Sequence, residues 1–223
     1  MAKVTFLGHA AVLVEGSATT VVIDPFLTDN PQAAVGPEAI NPDLVVVTHA
    51  HGDHWGDTLT LAQKGALVVS TYEIAVYAEK HGAKAFAMNI GGSYEFAGGR
   101  LKFYPAWHSS SFPDGSYGGM PMGVVLELDG KKIYHAGDTA LFSDMKMIGD
   151  LGLDLAILPI GDTFTMGPDD ALAALELLRP KQVLPIHYNT FPVIEQDGAA
   201  FVARAAAMGV GGKALAPGEA IEL

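Results

Sequence analysis

The sequence is organised around the stretch Thr48-His49-Ala50-His51-Gly52-Asp53-His54, which directly follows the apolar run of residues 44–47. Such a run is typical of a buried strand, so the stretch is expected to be the loop that leaves it. Imidazole and carboxylate groups are ligands for first-row metal ions, and an extended His-x-His pair places both rings on one side of the chain. After a turn at Gly52, the side chains of Asp53 and His54 can reach a second metal position close to the first. The pattern therefore predicts a site for two metal ions rather than a polar loop without a ligand.

The composition is typical of a globular protein with much buried sheet. Of the 223 residues, 49% are hydrophobic and 17% are charged. A chain of this length can form a sizeable core, so we expect one domain over residues 1–223. The sequence contains no cysteine, which excludes disulfides, a thiolate nucleophile and cysteine-ligated zinc.

The charge and hydropathy pattern bears on location and partners. No apolar run is long enough to span a membrane, so no membrane association is expected. Residues 1–7 have the pattern of a strand rather than of a signal peptide, and a cytoplasmic location is the default expectation. The formal net charge of −12 repels polyanions, and no run of basic residues offsets it. Nucleic acid is therefore a disfavoured partner, and a small-molecule substrate is expected.

Strands and helices alternate in the first part of the chain, which favours an α/β sheet. Glycine-containing turns at Gly98-Gly99 and Asp129-Gly130 then predict two antiparallel hairpins. Beyond them we expect a short helix near 143–148, a strand over 155–160, a helix opened by Pro168, a strand over 181–186, a helix over about 194–208 and edge strands near the end. Two strand-rich halves, each closed by helices, predict a four-layer sandwich with its site along one edge.

The remaining metal ligands are expected just outside apolar runs, because a sheet presents side chains to its edge there. The opening stretch supplies four ligands, whereas two metals need roughly seven from the protein if water completes each shell. Three positions fit, namely His108, Asp138 and His187, each of which follows a predicted strand. A centrally placed Asp can bridge two ions, since a carboxylate has two oxygens.

This constellation resembles the metallo-β-lactamase superfamily, whose pattern is an early Asp after a strand, a His-x-His-x-Asp-His motif, and then single His, Asp and His positions. Within the superfamily, further runs look like those of the UPF0173 metal-dependent hydrolases, which are similar to the ascorbate-phosphate lactonase branch. These runs are Leu7-Gly8-His9-Ala10, Asp24-Pro25-Phe26, His135-Ala136-Gly137-Asp138-Thr139, Pro159-Ile160-Gly161-Asp162-Thr163-Phe164-Thr165-Met166 and His187-Tyr188-Asn189-Thr190-Phe191-Pro192. The resemblance covers essentially the whole chain. It implies a metallo-β-lactamase-like αββα sandwich of two mixed β-sheets flanked by helices.

The resemblance also implies roles for individual residues. One metal would be held by His49, His51 and His108, and the second by Asp53, His54 and His187, with Asp138 bridging. Asp24 resembles the family's acid that orients the histidine loop without touching metal.

Several further residues near strand ends have two open interpretations. His9 is expected to be a structural histidine, with a substrate contact as the alternative. Contact with substrate or support of a ligand is open for Asp162, Thr165, Tyr188 and Asn189. The glycine- and serine-rich loop after His108 offers candidates for a pocket wall, namely Phe112, Tyr117, Met120 and Met122.

The expected activity is hydrolysis of a small ester, lactone, amide or phosphodiester by a hydroxide held between two metal ions. Asp53 is the candidate to orient this nucleophile or to carry its proton. One alternative is a metal-dependent nuclease or phosphodiesterase acting on nucleotides, which the acidic charge opposes. Another is a diiron redox protein, in which a Glu usually replaces His51. A non-catalytic metal-binding scaffold is the last, and a complete ligand set opposes it.

The metal and the assembly state stay open at this level. Zinc is the default for a set of His and Asp ligands, but Mn, Fe, Co and Ni accept the same set. The low charged fraction is compatible with an apolar interface, so a homo-oligomer is an alternative to a monomer.

Overall fold

The computed structural model describes residues 1–223, whose strands form two seven-stranded sheets. The first sheet contains β1 (Lys3–Gly8), β2 (Ala11–Glu15), β3 (Thr20–Ile23), β4 (Leu44–Val46), β5 (Leu67–Thr71), β6 (Ala85–Met88) and β14 (Ala220–Glu222). The second contains β7 (Ser93–Phe96), β8 (Gly99–Pro105), β9 (Met122–Leu128), β10 (Lys131–His135), β11 (Leu155–Pro159), β12 (Gln182–Ile186) and β13 (Gly211–Gly212).

Helices cover the outer face of each sheet. The first sheet carries α1 (Gly52–Trp55), α2 (Thr58–Gln63) and α3 (Tyr72–Lys80), and the second carries α4 (Met145–Gly149), α5 (Pro168–Leu178) and α6 (Gly198–Ala207). Short 3₁₀ turns occur at Pro37–Ala39 and Pro192–Ile194. No helix combines the length and the apolar character needed to cross a bilayer.

Both sheets are mixed. In the first sheet β14, β1, β2 and β3 are antiparallel, and β3 to β6 are parallel. In the second, β7 to β10 are antiparallel and β10 to β13 are parallel. Parallel neighbours end at the same edge of a sheet, so loops that follow β3, β4, β10, β11 and β12 gather along one edge of the sandwich.

Successive side chains of a strand point to opposite faces of the sheet, and this decides which layer each residue joins. In β4, Leu44 and Val46 pack between the two sheets, whereas Val45 points to the helices of the first sheet. In β11, Leu155 lies between the sheets and Ala156 faces the helices of the second sheet. Three apolar layers therefore separate four layers of secondary structure, and the predicted αββα architecture is confirmed.

Local signals explain where the prediction and the structure agree and where they differ. The hairpin between β9 and β10 turns at Asp129 and Gly130, whose φ values of 51° and 76° both lie in the left-handed region that such turns need. The helix predicted from residue 194 begins instead at Gly198, because the Asp197 side chain accepts a hydrogen bond from the Ala200 N–H. No strand is predicted at β6, a four-residue segment in which Phe86 and Ala87 are exposed.

Candidate metal centre

The ends of strands deliver acidic and imidazole side chains to a single edge. His9 follows β1 and Asp24 follows β3. His49 and His51 lie in the loop after β4, whereas Asp53 and His54 lie in α1, so the prediction of a loop over the whole stretch is wrong at its end. From the second sheet, Asp138 comes shortly after β10 and His187 directly after β12. The two sheets therefore contribute side chains to one cluster, although these residues are far apart in sequence.

One group of ligand atoms is made only of histidines. His49, His51 and His108 place ring nitrogens within 4.8 Å of one another. The Nε2 atom of His49 lies 3.1 Å from Nδ1 of His51. His49 is fully buried, whereas the other two rings are partly exposed. Three imidazoles converging on one point, with an open side, is an arrangement in which proteins hold catalytic metal ions.

A second group combines a carboxylate with histidines, namely Asp53, His54, His187 and His9. The Asp138 carboxylate lies between the two groups. Its Oδ2 is 3.1 Å from Nε2 of His187 and 3.6 Å from Nε2 of His108, while its Oδ1 is 3.3 Å from Nε2 of His54. One buried carboxylate thus reaches rings of both groups.

Several buried atoms of this cluster have no hydrogen-bond partner, namely His54 Nε2, Asp138 Oδ1, and both ring nitrogens of His187. A buried polar atom without a partner costs about 1–3 kcal/mol. Such a cost needs a compensating ligand, and imidazole nitrogens with carboxylate oxygens are the donors that first-row divalent ions accept. The residues therefore fit a metal.

Asp24 fixes the orientation of the histidine loop from behind. Its buried Oδ1 accepts from the Thr48 N–H at 2.7 Å, and its Oδ2 accepts from the Thr48 hydroxyl at 2.7 Å and from Nδ1 of His54 at 2.8 Å. The Thr48 oxygen in turn lies 3.1 Å from Nδ1 of His49. Because the Thr48 proton is given to Asp24, Nδ1–H of His49 must be the donor there. Both rings consequently turn Nε2 toward the cluster.

His9 lies against the cluster but not in the open cleft. Its ring is fully buried, with Nε2 3.1 Å from Asp53 Oδ2 and Nδ1 2.8 Å from the Thr190 hydroxyl. Thr190 donates onward to the side-chain oxygen of Gln32 at 3.1 Å. His9 has a φ of 56°, and its carbonyl accepts a hydrogen bond from the His187 N–H at 2.8 Å. The structure thus places His9 behind Asp53.

Mutual charge interactions shift the pKa values of the cluster. Burial alone would lower the pKa of His54, but the carboxylates of Asp138 and Asp24 outweigh it and hold that pKa well above its usual value. Burial would likewise lower the pKa of His187, but the Asp138 carboxylate outweighs burial and raises that pKa to about 9. Burial would raise the pKa of Asp53, yet the neighbouring His54 and the adjacent His187 and His9 rings lower it. Metal binding would require these imidazoles to lose their protons.

A cavity of about 300 Å³ opens over the cluster and is lined by His51, Asp53, His108, Ser109, Asp138, Phe164 and His187. The other predicted contact residues do not line it. Tyr188 and Asn189 line a separate cavity of about 730 Å³ together with Glu195, Gln196 and Asp197. Asp162 and Thr165 form an exposed turn, in which the Asp162 carbonyl accepts from the Thr165 N–H at 2.9 Å.

A second cavity, of about 470 Å³, lies beside His108 and shares His108 and Ser109 with the first. We call it the apolar cavity; its side-chain walls are Trp107, Tyr117 and Met120. Of the four residues predicted as pocket walls, Tyr117 and Met120 line it, whereas Phe112 and Met122 are buried in the core. The sequence interpretation missed Thr48, Thr190, Phe164 and Trp107. Only Trp107 and Thr48 had a signal, since each directly precedes a predicted ligand.

Comparison with known proteins gives consistent matches along the chain. A family model described as a β-lactamase superfamily domain matches residues 3–187. A UPF0173 metal-dependent hydrolase of Thermus thermophilus is 68% identical over 223 residues and 100% of both chains. A second one, of Pelotomaculum thermopropionicum, is 55% identical over 228 residues, 99% of this chain and 100% of its own. The solved structure of a metallo hydrolase from the hyperthermophilic archaeon Ignicoccus hospitalis is 40% identical, with a TM-score of 0.90 over 99% of this chain and 97% of the other.

Proposed function

This chain belongs to the β-lactamase superfamily as a metal-dependent hydrolase of the UPF0173 group, and we propose that it cleaves a small ester, lactone, amide or phosphodiester at a dinuclear metal site. We assign His49, His51 and His108 to one ion and Asp53, His54 and His187 to the other, with Asp138 bridging.

The observation that carries this proposal is the placement of Asp138. Its two oxygens lie between the two groups of ligand atoms, at 3.1 to 3.8 Å from ring nitrogens of His49, His54, His108 and His187. The partnerless buried atoms of the same residues support a bound cation. A central carboxylate with two oxygens supports two ions rather than one.

When bound, divalent metal ions supply a water of lowered pKa and polarise the acyl or phosphoryl oxygen of a substrate. Asp53 supplies the protein's part of the reaction. Its side chain is 29% exposed and lines the cavity over the cluster, so it can contact a water there. Because its pKa lies below the usual value, it stays ionised and accepts a hydrogen bond that orients the attacking water. The His9 ring lies against the same carboxylate on the buried side, with Nε2 3.1 Å from Oδ2.

The test is reconstitution of the full chain, freed of metal by a chelator, with Zn, Mn, Fe, Co or Ni. Elemental analysis is expected to give two ions per chain, and turnover is measured with lactones, neutral esters and bis-p-nitrophenyl phosphate. One ion per chain at full activity would refute the dinuclear site. Two ions without turnover of any substrate would favour a metal-binding scaffold.

The role of Asp53 is tested by Asp53→Asn. We expect turnover to fall by about two orders of magnitude or more, while the circular dichroism spectrum stays that of the parent. Glu195→Gln is a matched control, because it also removes one carboxylate charge but lies in the separate cavity. Full activity of Asp53→Asn would exclude the proposed role, as would an equal loss in the control.

A further inference from the structure

The apolar cavity extends from the candidate metal centre to a surface where large side chains are exposed. Trp107 is 68% exposed, Tyr117 67% and Met120 58%. Large apolar side chains exposed together mark a surface that binds something. His108, assigned above to a metal ion, and Ser109 line both cavities, so whatever occupies the apolar cavity touches the reaction site.

The loop that carries Tyr117 and Met120 is anchored to the rest of the fold. The hydroxyl of Ser110 accepts from the Ala50 N–H at 3.1 Å and donates to the Gly118 carbonyl at 3.0 Å, which ties the loop to the histidine stretch. Gly118 packs so closely on Ala50 that a side chain there would collide with it. Phe112 is buried and stacks on Tyr77 with ring centroids 3.6 Å apart. The loop that contributes to the cavity is therefore held in place before any ligand arrives, as in most small-molecule sites.

The apolar cavity offers no positive charge to an anionic group, because no lysine or arginine lines it. The chain as a whole carries a formal charge of −12. A phosphate or carboxylate on the substrate would find no cationic side chain to bind it, whereas an uncharged apolar group loses nothing on entering.

We propose that the apolar cavity is a substrate subsite that binds the apolar aryl or alkyl group of an uncharged ester, lactone or amide. The scissile carbonyl of that substrate would lie over the candidate metal centre. This inference rests on the proposed hydrolytic function and narrows its substrate class. Trp107, Tyr117 and Met120 then determine specificity. The volume of about 470 Å³ accommodates a phenyl ring or a medium-length alkyl chain.

The first test is kcat/KM of the metal-loaded protein for a series of lactones that differ only in alkyl chain length. Each methylene is expected to raise kcat/KM about two- to fourfold, since burial of one CH₂ contributes up to about 0.8 kcal/mol. A matched substrate whose chain ends in a carboxylate is expected to fall at least tenfold below its methyl counterpart. Trp107→Ala should flatten the dependence on length. Met147→Ala is the control, as Met147 is 68% exposed on α4 and lines neither cavity.

The second test measures binding without turnover. The protein has two tryptophans, and Trp55 is buried, so Trp107 supplies the solvent-sensitive emission. Titration with 1-alkanols of four to eight carbons should shift the emission to the blue at concentrations that fall with chain length. Trp107→Phe should abolish the shift.

The two tests separate the inference from the function on which it rests. If kcat/KM does not depend on chain length, or if Trp107→Ala keeps the parental dependence on chain length, the subsite is refuted. The proposed hydrolytic function is not affected by that result. Alkanol binding with the expected length dependence, but without turnover of any substrate, supports the cavity and counts against the proposed function. A Trp107 emission that depends on protein concentration and not on alkanol shows an interface between copies of the chain, and overturns the subsite.

Discussion

Replacing Asp24 by Asn tests how a buried acid prepares the histidine loop for metal. Asp24 has a φ of 50°, a left-handed conformation that Asn also tolerates, so the backbone is expected to survive the change. The substitution keeps the volume of the side chain. It removes the negative charge and converts one acceptor oxygen into a donor NH₂ group.

The magnitude follows from the donors around Asp24. Oδ1 accepts one hydrogen bond and Oδ2 accepts two, so the NH₂ group must face at least one donor in either orientation. Loss of one hydrogen bond to a charged group costs about 1.5–3 kcal/mol of stability. His54 and, through Thr48, His49 also lose the partner that turns Nε2 to the cluster. Loss of such a partner lowers metal affinity about 10- to 100-fold, which is about 1.4–2.8 kcal/mol.

Asp57→Asn is the matched control. Asp57 is also buried and accepts three hydrogen bonds, from the N–H groups of Leu27 and Thr28 and from the Thr28 hydroxyl, at 2.6 to 3.0 Å. None of these hydrogen bonds involves a residue of the cluster. Both variants should lose stability, whereas only Asp24→Asn should lose metal affinity.

Two measurements decide the outcome. Urea unfolding of the metal-free proteins gives the stability change, and competition with a chromophoric chelator gives the zinc affinity. Retention of zinc affinity within twofold in Asp24→Asn would refute the idea that Asp24 orients the ligands. An equal loss of affinity in Asp57→Asn would show that general destabilisation, not orientation, is the cause.

Two other predictions follow from the same structure. Chelation of metal should lower the free energy of unfolding by about 2.7 kcal/mol for each bound ion, relative to protein held at a free metal concentration 100 times the dissociation constant. A thermal midpoint unchanged by added zinc would contradict a site in the native state. Asp154→Asn should cost about 0.5–1 kcal/mol at pH 7, because the Lys181 ammonium and the Lys132 N–H outweigh burial and hold the pKa of Asp154 below its usual value. This stability is fully present above the unfolded pKa of about 3.9 and is lost as the pH falls through the folded pKa. Urea unfolding should therefore show a smaller difference in free energy of unfolding between variant and parent at pH 3 than at pH 7. An equal difference at both pH values would exclude ionisation as its cause.

The convergence of the proposed ligands could be predicted because strand ends are visible in a sequence. Short apolar runs locate β4 and β12, and the Asp129-Gly130 hairpin locates β10; polar side chains just beyond these strands are expected at the sheet edge. The resemblance to the UPF0173 hydrolases, carried by runs such as His135-Ala136-Gly137-Asp138-Thr139, is confirmed by relatives that match the whole chain. The similarity to ascorbate-phosphate lactonases stays a prediction.

The supporting contacts could not be predicted, because a hydroxyl or a loop side chain chooses its partner only in the folded state. Thr190 meets His9 across a long separation in sequence, and nothing local indicates that contact. The loop after His108 shows the same limit. Tyr117 and Phe112 are both aromatic residues of that loop, yet Phe112 packs in the core and Tyr117 stays exposed. Because this loop has no regular hydrophobic period, its sequence does not show which side chains face the core and which face solvent.

The hydrogen bond from the His187 N–H to the His9 carbonyl joins the two sheets at the edge where the cluster lies. Under the proposed assignment, the last ligand therefore arrives with β12, late in synthesis of the chain. A nascent chain that has made residues 49–54 but not His187 holds only part of the ligand set. Metal loading is then a property of the finished polypeptide, and a released chain truncated before β12 would fail both to dock its two sheets at this edge and to retain a metal pair.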